Sequence, residues 1–592
     1  MNRETATINP SAKTGEAAPI CDVLVIGSGA CGLSAAVAAS LLGLDAHVVE
    51  KQALVGGSSA YSYGTLWVPC SPAAAREGLA DDPQSALTYL RHEMGAQFDE
   101  ARARAYLAHA PRMLEFFERH AGLHFHCREN FPDHHPDKPG ASLGGRTIFV
   151  APFDGRELGA LIRQLRPPLR TQTLMGMMYT PKEVKILQKA TRSWASFRHT
   201  ARRLLRHWAD LARHGRTMWL TNGNALVARL LKASTGLGIP VWTSSPMRRL
   251  LVEDGRVCGA VIERDGQLVT MRARRGVVLA CGGFGWSGEW CSELLDRPAL
   301  DGANWSLATP GNTGDGLRAA LESGARIDDH LQTPAFWAPV SRPPGPGAEL
   351  AGHFHDRHRP GFLAVDARGR RFADEALSNH HFAEAIVRAA PEGQAPVAYL
   401  ICDHQSLRRV GCGDLIAPWP ARLAPHLRSG YLQRADSIAE LAPRIGIDSQ
   451  ALEATVGEFN QYAREGRDPL FGKGESPFAR YYGDPAHRPN PCIGPLGKPP
   501  YYAVRLTAGH MGTLVGLKTD IAGRALGHDD RPIPGLYAVG NDMANVFGGA
   551  CPGGGITLGP GMTFAHLAAQ HMAGQPIEGL ADTPCDQEAL AA

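Results

Sequence analysis

None of the twelve cysteines stands in a CxxC pair, and most sit inside apolar runs. The chain is therefore read as a reduced, cytoplasmic protein without a disulfide framework. No window holds the 18 or so consecutive apolar residues of a membrane span, and Met1 to Ile20 has no apolar stretch of signal-peptide length. The expectation is a soluble protein, peripheral to a membrane at most. Charge is scarce in either sign, with 61 basic against 58 acidic residues, a balance that gives no reason to invoke nucleic acid. Charged residues make up only 20% against 44% hydrophobic, which excludes disorder, and 592 residues are too many for one core. Glycine is what the chain has in excess: 67 residues, where average usage of about 7% would give roughly 41. An apolar, near-neutral chain so rich in glycine has many places where backbone approaches something closely.

The first such place is near the N-terminus. Asp22 to Ile26 (DVLVI) reads as a buried parallel strand running into Gly27–Gly32 (GSGACG), where a helix starts, and Asp45–Glu50 (DAHVVE) reads as a second strand. Strand, GxGxxG, helix, strand and closing acid form a dinucleotide-binding unit. Gly27 permits the tight turn, Gly29 lets backbone approach a pyrophosphate, and Gly32 lets helix and strand pack closely. The helix N-terminus at Ser28, Ala30 and Cys31 offers free N–H groups to phosphate, and Glu50 is placed to accept from a ribose.

Further along, Gly276–Phe284 (GVVLACGGF) is another strand meeting the Gly282-Gly283 pair, and Gly535–Gly540 (GLYAVG) resumes the nucleotide-type pattern. The fold class expected is α/β, with a discontinuous Rossmann-like cofactor domain at 20–298 and 496–576 and an inserted α+β substrate domain at 299–495. Residues 1–19 and 577–592 read as flexible tails. A helical, basic insertion covers about 160–216, in which Trp194, Phe197, Ala201, Leu204, Leu205, Trp208 and Leu211 recur at helical spacing. The expectation is a helix packed on the domain with a solvated basic face, with contact to a membrane surface or service as a lid as the alternatives.

Four segments together resemble one flavoprotein family: Glu50–Ala60 (EKQALVGGSSA), Val277–Phe284, Asn312–Gly316 (NTGDG), and the ending Gly535 to Thr563. That family includes fumarate reductase flavoproteins and 3-ketosteroid dehydrogenases, and the resemblance spans most of the chain. It implies FAD as the cofactor. By position Gly27, Gly29, Gly32 and Glu50 hold the ADP half, with Lys51 beside them. Gly56, Gly57, Ser58 and Ser59 follow the phosphates and ring, and Gly282, Gly283 and Asp315 are further cofactor-binding positions. Gly540, Asn541, Asp542, Gly555, Ile556 and Thr557 lie toward the ribityl and isoalloxazine. No histidine occurs in Gly56–Gly64, so the FAD is expected to be non-covalent.

The ketosteroid dehydrogenase branch looks closer, through Arg370–Ala376 (RRFADEA) and Gly559–Phe564 (GPGMTF). The resemblance implies proton abstraction next to a ketone with hydride transfer to flavin, on an apolar cyclic ketone, and a separate acceptor such as a quinone or an electron-transfer protein. A fumarate- or enoate-reductase-like flavoprotein fed by an electron donor is the alternative. Three tyrosines of the branch are replaced here, in Cys551–Gly555 (CPGGG), Asp374–Phe382 (DEALSNHHF) and Phe131–Pro136 (FPDHHP). The Gly555 amide remains. His134 or His380 is the candidate base, Asn379 a donor to the carbonyl, Cys551 a weak donor or thiolate, and Tyr502 a further hydroxyl. A His-His pair without a spaced third ligand gives no metal site. Arg357 and Arg359 are candidates for a substrate carboxylate.

Overall fold

The computed structural model describes residues 19–295, 304–416 and 423–580. β1 (Ile20–Ile26) carries Val23, Leu24 and Val25 with no exposed surface, as a strand covered on both faces requires. It pairs in parallel with Gln267–Leu279 on one side and with β2 (Ala46–Val49) on the other. Val241–Trp242 extends the sheet beyond β2, and Pro532–Ala538 extends it beyond Gln267–Leu279, both in parallel. Arg524–Leu526 finishes that edge antiparallel. α1 (Ala30–Leu41) follows β1 and packs against the helix Leu558–Met572, its small Ala35, Ala36, Ala38 and Ala39 fully buried. The expected α/β architecture with an inserted second unit is therefore present.

The inserted unit is built on an antiparallel sheet in the order Ala351–Gly352, Ala335–Ser341, Tyr501–Thr513, Ala398–Asp403 and Phe362–Asp366. Tyr501–Thr513 lies within this second sheet, whereas the sequence reading returned to the cofactor domain at 496. The strand is buried on both faces, with Val504 and Leu506 in one core and Ala503 in another, so its pattern reads like that of a parallel strand. A charge cluster with at most 3% side-chain exposure braces the unit: Arg371 pairs with Glu375 at 2.9 Å and Asp468 at 2.7 Å, and Lys473 with Glu375 at 3.2 Å.

The basic insertion forms the helix Trp194–His214, but its orientation departs from the expectation. Thr200, Leu204, His207 and Asp210 face the protein, while Trp194, Phe197, Leu205, Trp208 and Leu211 are exposed. The cause is polar: Asp210 Oδ1 takes Arg156 Nη2 at 2.5 Å and its Oδ2 the Met218 N–H at 3.1 Å. Arg203 Nε donates to Glu183 at 3.0 Å. The expected tails fall almost wholly outside the described residues.

Candidate active site

One cavity of about 290 Å³ runs from the end of β1 to the facing surface of the inserted unit. Its first half is built from glycine turns. A Cβ on Gly32 would lie 2.0 Å from the Gly27 carbonyl oxygen, so the turn closes only with glycine there. A Cβ on Gly29, by contrast, would meet only Ser59 Oγ, at 3.5 Å, leaving open space where a pyrophosphate would approach. Glu50 is buried at this end, with Oε2 accepting from Ser28 N at 3.0 Å and Ser28 Oγ at 2.5 Å, and Oε1 from Gln52 N at 2.9 Å. Oε1, which accepts only once, keeps a lone pair for a ribose hydroxyl. Ser59 Oγ caps Ala30 N at 3.0 Å, and Ser58 Oγ accepts from Thr309 N and Asn312 Nδ2, both at 3.0 Å. Lys51 Nζ reaches Asp315 at 2.6 Å and Thr313 at 2.5 Å.

Of the positions matched to FAD, Gly27, Ser28, Gly29, Cys31, Glu50, Lys51, Gly57, Ser58, Ser59, Gly282, Asp315, Gly540, Asn541, Gly555 and Thr557 line this cavity. Ala30, Gly32, Gly56, Gly283, Asp542 and Ile556 stand behind the lining. Asp542 is fully buried and accepts from the N–H groups of Cys281 and Gly283, so it shapes the Gly282 turn rather than facing a ligand. The donor set, the open glycine face and the capped helix start fit an FAD.

The second half brings the candidate catalytic residues together from distant segments. His134, Asn379, His380 and Gly555 line the same cavity. His134 Nδ1 lies 3.0 Å from the Cys551 carbonyl oxygen and 3.3 Å from its Sγ. A carbonyl only accepts, so the proton is assigned to Nδ1 and the lone pair to Nε2. Burial holds His134 down to about 4, leaving the ring neutral. His380 has the opposite tautomer: its Nδ1 accepts from the Trp337 N–H at 3.1 Å, and its Nε2 faces Glu384 at 3.5 Å. Its acceptor nitrogen is thus occupied, whereas these contacts leave the Nε2 lone pair of His134 untaken.

Asn379 Oδ1 accepts from Arg357 Nη2, which turns the amide so that its NH₂ is presented. Arg357 is fully buried and also donates to the Glu375 and Leu377 carbonyls, so it positions Asn379. Gly555 has φ +103°, and a Cβ there would stand 2.3 Å from the Thr65 carbonyl oxygen. Burial raises the Cys551 thiol well above 9, so the thiolate expected as one alternative is ruled out near neutral pH. Tyr502 is not brought to the site: it is buried in the inserted unit's core, its hydroxyl 3.2 Å from His404 Nδ1.

The structure adds residues that no sequence signal marked. Tyr482, on the helix Pro477–Tyr482, lines the cavity with its ring 4.7 Å from that of His358 and 6.1 Å from that of Phe131. Tyr63 also lines it, its hydroxyl 3.4 Å from His355 Nε2, and Phe336, Phe354 and Phe478 complete an aromatic wall. Arg359 lines it too, while Arg357 does not. Glu93, His135 and His381 hold ligand-type atoms within 4.8 Å of one another, a third partner that sequence spacing did not show, and Glu93 is there paired with Lys138 at 3.2 Å.

The family model described as FAD binding domain matches residues 22–558. A 4-oxocyclohex-2-ene-1-carboxylate 5-dehydrogenase of Sinomonas cyclohexanicum is 36% identical over 557 residues, 93% of this chain and 94% of that protein. A 3-oxosteroid 1-dehydrogenase of Mycobacterium tuberculosis is 36% identical over 578 residues, 94% of this chain and 98% of that one. The crystal structure of a 3-ketosteroid Δ1-dehydrogenase from Sterolibacterium denitrificans, in complex with 1,4-androstadiene-3,17-dione, superposes with a TM-score of 0.88 at 38% identity. It covers 94% of this chain and 99% of that one. An open flavocytochrome c3 fumarate reductase, at 21% identity and a TM-score of 0.61, shares the fold. This chain belongs to the FAD-binding family of dehydrogenases that includes the 3-oxosteroid 1-dehydrogenases.

Proposed function

We propose that the protein dehydrogenates a CH–CH bond beside the carbonyl of an apolar cyclic ketone. The observation that carries this reading is convergence: His134, Asn379 and Gly555, from three separate segments, line the cavity that Gly27 and Glu50 open. FAD held by Glu50, Ser58, Ser59 and the glycine turns would supply the acceptor for a hydride from the β-carbon.

The protein's own work is at the α-carbon and the carbonyl. His134 Nε2 takes the α-proton, its Nδ1–H held by the Cys551 carbonyl. Negative charge then develops on the ketone oxygen, where the Asn379 amide and the Gly555 N–H donate. Tyr482 offers its phenol to the same oxygen: it has no hydrogen-bond partner among the described residues, and burial keeps it protonated by raising it above 10. The aromatic wall excludes water and holds the ring. A separate acceptor, a quinone or an electron-transfer protein, reoxidises the cofactor. The relatives' names, a cyclohexene carboxylate enzyme and steroid enzymes, support a ring ketone of either size.

The test is anaerobic mixing of the oxidised holoenzyme with 3-ketosteroids and with 4-oxocyclohexanecarboxylate. Bleaching of the flavin absorbance is expected with at least one of them. If the oxidised flavin stays unchanged with all, while dithionite-reduced enzyme is reoxidised by unsaturated acids, the reading fails in favour of a reductase.

A further inference from the structure

We propose that the helix Trp194–His214 docks the protein on a lipid surface that carries anionic headgroups. The helix presents apolar side chains outward: Trp194 is 76% exposed, Leu205 63%, Trp208 47%, Phe197 45% and Leu211 40%. At about 100° per residue these five fall within one sector roughly 120° wide. Met175, 57% exposed, belongs to the neighbouring loop, whose Met175 carbonyl lies 3.3 Å from His207 Nε2. Of the twelve large apolar side chains exposed among the described residues, six lie between Met175 and Leu211. Scattered exposure would not place half of them in so short a segment.

The helix is anchored by the wrong face for a water-facing element. Thr200, His207 and Asp210 point inward with Leu204, and the ion pairs of Arg203 and Asp210 hold them there. A helix that docks by a polar face and shows water its tryptophans has an unfilled apolar contact. What fills it is indicated by the flank. Arg198, Arg202, Arg206 and Arg213 occupy the adjoining sector and are exposed. Arg206 lies 5.1 Å from the Trp219 ring and has a distant carboxylate in Asp154, at 3.9 Å, and no carboxylate among the described residues pairs with Arg198, Arg202 or Arg213. An apolar stripe with tryptophan at its end and arginines along one side matches the boundary between acyl chains and phosphate headgroups.

Among the described residues no helix is long and apolar enough to cross a membrane, so the contact is interfacial. Pro181 and Val184, just before the helix, line the active-site cavity. Docking thus brings the bilayer beside a wall of the cavity, a short path for an apolar ketone.

The full-length holoprotein is sedimented with phosphatidylcholine vesicles, with and without phosphatidylglycerol. Binding to the anionic vesicles at low salt, weakening as salt rises, is expected. Leu205→Glu with Trp208→Glu should lower the partition coefficient at least about tenfold, and Arg198→Glu with Arg202→Glu should do so on anionic vesicles. Both should leave the flavin absorbance and the melting temperature unchanged, because the altered side chains face outward. Wild-type protein that stays in the supernatant at low salt overturns the proposal. So does unchanged binding by the Leu205/Trp208 variant, or a vesicle-independent dimer that this variant dissociates, which would make a second copy the occupant.

Discussion

Glu50→Gln tests the cofactor site at its most constrained atom. In the native site one carboxylate oxygen accepts from Ser28 N and Oγ, at 3.0 and 2.5 Å, and the other from Gln52 N at 2.9 Å. A carboxamide has one oxygen, so whichever way it turns, its NH₂ group faces a backbone N–H that cannot accept. One charge-assisted hydrogen bond is lost, and a buried N–H goes without a partner. The bond that remains to a ribose hydroxyl is no longer charge-assisted. Such a bond contributes about 1.5–3 kcal/mol, so a loss of about 2–3 kcal/mol is expected, or FAD affinity roughly 30- to 150-fold weaker. Fluorescence titration of deflavinated protein with FAD measures it directly, and the flavin retained through gel filtration gives an independent reading. Glu50→Asp, which keeps the charge, should retain more FAD than Glu50→Gln. If Glu50→Gln binds FAD within threefold of the wild type, Glu50 does not hold the ribose and the assignment of this end of the cavity is wrong.

Two further predictions concern pH. Burial keeps His134 neutral down to about 4, so kcat should show no inflection near 6.5 that belongs to this residue. An inflection at 6.5 in the wild type that disappears in His134→Gln would refute the neutral-base assignment. Glu375 is held down to about 2, because the charges of Arg371 and Lys473 outweigh its burial. Its folded value is below its unfolded one near 4.5. Its contribution to stability is therefore complete above pH 4.5 and is lost as pH falls toward 2. That amounts to about 3 kcal/mol. Acid unfolding of Glu375→Gln should accordingly be less steep over that window, at lower starting stability, and an unchanged slope would contradict the pairing.

The dinucleotide unit was legible because its chemistry is local. Gly27, Gly29, Gly32 and Glu50 occupy one strand–turn–helix–strand stretch, where steric limits on the turn and hydrogen bonding to the acid are imposed within about thirty residues. The resemblance carried the rest of the cofactor site, down to the turn at Gly282 and the amide at Gly555. The catalytic half was less legible. His134 and His380 look alike in sequence, each in a His-His pair, and only their partners, the Cys551 carbonyl and the Trp337 N–H, give them the opposite tautomers on which the proposed choice of base rests.

Tertiary structure also decided what no local pattern could. Tyr482 enters the cavity from a helix that sequence left unmarked, and Tyr502, which the sequence reading marked, is buried elsewhere because its strand joins the second sheet. The helix Trp194–His214 shows the same division. Its amphipathic period is a property of the sequence, but the period does not say which face turns inward. The ion pairs of Asp210 and Arg203 with residues outside the helix settled that, and with it what the exposed face is available to bind. By itself the sequence determined the cofactor and the fold class, because the unit from Gly27 to Glu50 is local and the resemblance extends it to the distant segments. Substrate-facing chemistry rests on contacts across hundreds of residues, such as His134 with Cys551, and only the folded chain brings those together.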